Sequence, residues 1–128
     1  MLFAGAAALG LAVPPGPGKG AVATAQGHPR AIFQRAIERG NLLVAETTLR
    51  GEIPRPTLLD LLELTALIAQ KDPRRHGRVA GRWLRRYLDV RDDATIDDIA
   101  YIAASLQALG GPHHGPALAA LRELSSVE

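Results

Sequence analysis

Thr57–Leu88 reads TLLDLLELTALIAQKDPRRHGRVAGRWLRRYL, and Thr95–Ser126 reads TIDDIAYIAASLQALGGPHHGPALAALRELSS. A shift of 38 residues sets Thr57 over Thr95, Asp60 over Asp98, Leu61 over Ile99, Leu64 over Ile102 and Ala66 over Ala104. The register runs on through His76-Gly77 over His114-Gly115 and Trp83 over Leu121 without an insertion. Leu and Ala agree easily in a chain so rich in them, so the Thr, Asp and His-Gly matches carry the argument. Two helices and a break recurring at this period form the pattern of stacked hairpins, each burying one face against the next. The predicted fold is therefore all-α: antiparallel helical hairpins, with two 38-residue repeat-like units plus an N-terminal helix or short hairpin. A four- or five-helix bundle is the competing arrangement.

Local signals place the elements near 31–50, 57–71, 75–88, 95–109 and 114–125. Thr57 and Thr95 stand where N-caps belong, each with an Asp three residues on. Because the usual reciprocal partner is Glu, Asp60 is read here as a charge favoured by the helix dipole. Apolar residues from Leu58 to Ala69 cover nearly the whole circumference, as in a helix with neighbours on both sides. The next helix is two-faced, with Val79, Ala80, Trp83, Leu84, Tyr87 and Leu88 on one side and arginines on the other. Asp72-Pro73 and Gly110-Gly111-Pro112 mark the breaks. Upstream, Pro29 suits a first helical turn, and Gly40-Asn41 divides Arg30–Arg50 into either a kinked helix or a short hairpin. Pro54 and Pro56 impose a loop before Thr57.

The whole chain has 128 residues, enough for one domain with one core. Residues 1–28 are read as a flexible Gly/Pro/Ala-rich extension and 29–126 as the helical domain. Leu2–Val13 is apolar but shorter than the roughly 20 residues a spanning helix needs. It also imitates a signal-peptide core, although no Lys or Arg precedes it, so export and surface docking stand beside the reading as an extension. Lys19 in Gly16–Gly20 lacks the spacing of a phosphate loop. There is no cysteine, which excludes disulfides and thiolate chemistry.

Functional candidates are few. His113 and His114 are adjacent and do not converge, and Asp92, Asp93, Asp97 and Asp98 lack the alternating spacing of a calcium loop. No catalytic residue, metal or cofactor is expected. The charge is uneven despite a net of +2: residues 71–88 hold seven Lys/Arg against one Asp, and 89–98 hold five Asp against one Arg. Arg78, Arg82 and Arg85 follow by four and three residues along one ridge, widened by Arg75 and Arg86. Guanidinium forks suit carboxylates of a protein partner or phosphate oxygens of a nucleic-acid backbone. The plain alternative is a solvated face answering the Asp cluster. A helix-turn-helix starting at Thr95 would have a poor reading helix, since His114–Leu124 offers only Arg122 beyond its opening histidines.

The segments HPRAIFQRAIERGNLLVAE, LELTALIAQKDPRRHGRVAGRWLRRYL and ALGGPHHGPALAALREL resemble small, uncharacterised all-helical proteins of high-GC actinobacteria with helical-repeat character. The resemblance covers Pro29–Leu124 and implies a cytoplasmic helical protein, with no catalytic residue to carry over. The function expected from these readings is a non-catalytic protein-interaction or regulatory module with an unidentified protein partner. A nucleic-acid-binding accessory role through Arg75, Arg78, Arg82, Arg85 and Arg86 is the alternative. No membrane span is expected.

Overall fold

Thr57 and Thr95 each begin a helix by the same device. The Thr Oγ accepts from the backbone N–H three residues on at 3.1 Å, and that residue's carboxylate accepts from the Thr N–H at 2.9 Å. Asp60 and Asp98 thus close reciprocal capping boxes, a role the shorter acid performs as well as Glu, and not merely that of a charge near the dipole. The break within each unit repeats less faithfully: Asp72 alone separates the first pair of helices, whereas 109–113 form a longer turn in the second.

The computed structural model describes residues 28–126. The proposed extension 1–28, save His28, lies outside the described residues. Six helices follow in order: α1 (Pro29–Arg39), α2 (Leu42–Glu52), α3 (Leu58–Lys71), α4 (Pro73–Val90), α5 (Ile96–Ala108) and α6 (His114–Ser125). They pair as three hairpins, α1–α2, α3–α4 and α5–α6, the all-α repeat-like organisation that the register predicts. The upstream segment is a true hairpin, not a kinked helix. Gly40 ends α1 at φ 70°, a left-handed conformation that glycine adopts without strain, and the Asn41 side chain then caps α2.

α3 is the central helix, packing on α1, α2, α4 and α6, as its all-round apolar sequence requires. Leu58, Leu62 and Ala69 on one side join Trp83, Tyr87, Ile102, Leu106 and Leu121 in the larger core. Leu67 on another side joins Phe33, Ala36, Ala45, Leu49 and Ile53 in a smaller one, and Leu61 packs against both. Trp83 is fully buried, stacks on Tyr87 with centroids 5.5 Å apart, and donates its indole N–H to the Leu58 carbonyl at 2.9 Å. Among the described residues no helix is long and apolar enough to cross a membrane.

Candidate binding groove

α4 starts at Pro73, two residues before the expected boundary, because proline is tolerated at N1 and Asp72 serves both the end of α3 and the start of α4. The two extra residues add Arg74 to the exposed side of the helix. Arg74, Arg78, Arg82 and Arg85 therefore make one exposed row, and none of them is bonded to another side chain among the described residues.

Two of the five arginines read from the sequence turn elsewhere. Arg75 forks onto Glu46 of α2, with Nη1 to Oε2 at 2.7 Å and Nη2 to Oε1 at 3.0 Å, while its Nε reaches Asp72 at 2.9 Å. Arg50 adds a third bond to Glu46 at 3.0 Å. The hydrogen bonds from Arg75 hold the Glu46 carboxyl below its ordinary range against the opposing effect of burial, and the bond to Glu46 raises the Arg75 guanidinium. Arg86 donates to the Pro56 carbonyl at 3.1 Å, tying α4 to the loop before α3. Arg75 and Arg86 are thus fastened to the fold, whereas Arg78, Arg82 and Arg85 point to solvent with none of the Asp89–Asp98 carboxylates as an intramolecular partner.

Beside the arginine row, α2, α3 and α4 diverge around a cavity of about 400 Å³. Leu49, Ile53, Leu61, Leu64, Val79 and Trp83 supply apolar walls, and Arg50, Arg75, Arg82 and Glu46 stand at the rim. α2 ends at Glu52, and Ile53, Pro54 and Pro56 of the loop that follows line the same cavity, which lies at the seam between two hairpins. Sequence patterning marks the walls only as core; the seam depends on how far apart the hairpins settle.

A second cavity of about 170 Å³ lies between α1, α3 and α6. Of its polar groups, Glu63, nearly buried, takes two bonds from Arg122 at 2.6 and 3.0 Å, and Gln70 donates to the Leu109 carbonyl at 2.6 Å. The bond to Glu63 raises the Arg122 guanidinium. Among the described residues no three His, Cys, Asp or Glu gather as metal ligands. His76 Nε2 lies 2.8 Å from the Leu106 carbonyl, and His113 and His114 are exposed.

Fold and groove together define a stack of three helical hairpins with an apolar seam edged by arginines. No family model, curated protein or solved structure matches this chain.

Proposed function

We propose that the chain is a non-catalytic interaction or regulatory module that docks an acidic protein through the outer face of α4. The observation that carries this reading is the exposed row of Arg78, Arg82 and Arg85 without a carboxylate partner among the described residues. A guanidinium fork presents paired donors matched to a carboxylate, and a charged row accelerates and orients encounter more than it tightens the final complex. The location that goes with this role is the cytoplasm, and membership of the actinobacterial proteins that the sequence resembles adds no residue role to it.

Nucleic acid is the second reading, because the same forks suit phosphate oxygens. Two measurements separate the two. The first is capture from native lysate, where a stoichiometric, nuclease-insensitive protein lost on replacing Arg78, Arg82 and Arg85 by Ala supports docking. The second is titration with mixed DNA and RNA over a salt series, where affinity that falls steeply with salt and depends on the same arginines replaces docking with backbone binding. Partner capture unchanged by the triple substitution removes the row from the reading.

A further inference from the structure

We infer that the occupant of the groove is a second copy of this chain, in a two-fold dimer that lays the basic half of α4 against the acidic corner of its partner. The inference rests on the docking reading of the arginine row and names what docks there.

The charge order along the exposed surface is the first argument. Arg74, Arg78, Arg82 and Arg85 are followed by Asp89, Asp92, Asp93 and Asp97, all exposed, of which Asp93 is already met by Arg91 at 3.3 Å. A surface that is positive and then negative along one direction is complementary to itself when turned end for end, and a two-fold axis makes that match twice. The arginine row runs from Arg74 to Arg85, about 16 Å of helix at about 1.5 Å per residue. That is longer than any single carboxylate or phosphate group.

The apolar surface is complementary as well. Leu58 and Leu62 are fully buried, yet at the matching positions of the second unit Ile96 is 84% exposed and Ala100 is exposed as well. The α5 positions that match this covered face are thus bare, and Ile96 follows Asp92 and Asp93 and precedes Asp97 in the chain. An exposed apolar residue in an acidic stretch of chain matches an apolar groove with arginines at its rim, where Glu46 already accepts from both Arg50 and Arg75. In the dimer, Ile96 of each copy enters the seam beside Val79 while Arg82 meets the acids that flank Ile96. Residues 1–27, apolar as they are, contain no Asp or Glu and supply nothing for the arginines. Nucleic acid would leave the apolar walls without a partner, and Trp83 is too deeply buried to stack on a base.

The test is light scattering and sedimentation of the full chain from low micromolar to near-millimolar concentration, in low and high salt. Twice the chain mass is expected at the upper concentrations in low salt, with dissociation as salt screens the pairs. Ile96→Ser weakens association at least about tenfold, the effect of roughly 1.4 kcal/mol. Arg82→Glu and Asp92→Arg each abolish it, and mixing these two variants restores a heterodimer, because both contacts then pair opposite charges. All three positions are exposed, so folding is not at stake, and circular dichroism confirms it. A monomer at every concentration, an unaffected dimer in any of the three variants, or a mixture that stays monomeric overturns the inference. Mass climbing beyond twice that of the chain replaces the two-fold arrangement with an open one and overturns it also. Capture of an acidic protein dependent on Arg78, Arg82 and Arg85 by a chain that stays monomeric would sink the dimer alone and leave the docking reading standing.

Discussion

Glu46 is the residue whose chemistry most directly links fold and groove, since its carboxylate receives Arg75 from α4 and Arg50 from its own helix. Its folded acidity is strengthened, with a pKa below the ordinary 4.5. A depressed carboxyl pKa contributes stability that is present above the unfolded value and is lost as pH falls through the folded one. Glu46→Gln is therefore expected to cost about 1–2 kcal/mol near neutrality, a figure discounted because Arg75 and Arg50 are partly solvated. It should also flatten the decline in stability that the parent chain shows below about pH 4.5. Urea unfolding from pH 7 to pH 3 checks both; a parallel decline in the variant would assign the acid sensitivity to other carboxylates. Arg122→Ala should cost more, about 2–4 kcal/mol, because it leaves the nearly buried Glu63 without its fork; a loss below about 1 kcal/mol would show that water replaces the guanidinium. At this scale the sequence was legible in chemistry but not in partnership. Spacing put all five arginines on the polar side of α4, while the division between Arg78, Arg82 and Arg85 in solvent and Arg75 and Arg86 in the fold depends on Glu46 and Pro56, about 30 residues away in the chain.

Helix boundaries were more legible, because they rest on short-range chemistry. Thr57 and Thr95 were readable as N-caps, and Gly40-Asn41 as a break, from residue type alone. What the sequence left open there, kinked helix or hairpin, was decided by the left-handed Gly40 and the Asn41 cap acting together. The two capping boxes share one hydrogen-bond geometry but differ in surroundings. Asp60 is buried and also accepts from Arg30 at 2.6 Å, whereas Asp98 is exposed. Thr57→Ala is expected to cost about 1–2 kcal/mol and Thr95→Ala about 0.5–1 kcal/mol, because losing the first cap also loosens the carboxylate that fastens α1 to α3. Thermal unfolding of the two variants side by side tests the ordering, and equal losses would mean that Arg30 holds Asp60 without help from Thr57. Gly40→Ala is expected to cost about 1 kcal/mol, since the left-handed backbone must be kept for the chain to turn into α2.

Over the whole molecule, the 38-residue register conveyed the hairpins but not the asymmetry between them. Leu58 and Ile96 occupy matching positions and belong to similar residue types, yet one is sealed and the other bare. No local pattern distinguishes a hairpin face that packing covers from one that it leaves bare; the presence or absence of a neighbour does. The same asymmetry governs how the molecule comes apart. The α1–α2 hairpin packs on α3 and has its own small core, while α3 to α6 share the larger one. Stability is then distributed in units that open separately. Native-state hydrogen exchange should show the amides of Phe33 and Ala45 opening at lower free energy than those of Leu62 and Ile102. Leu67→Ala should widen the gap, because Leu67 belongs to the small core and its truncation removes about 2–4 kcal/mol of packing there. If both groups of amides instead lose protection equally in that variant, the two cores unfold as one, and α3 transmits the damage across the stack more strongly than the division of its buried faces implies.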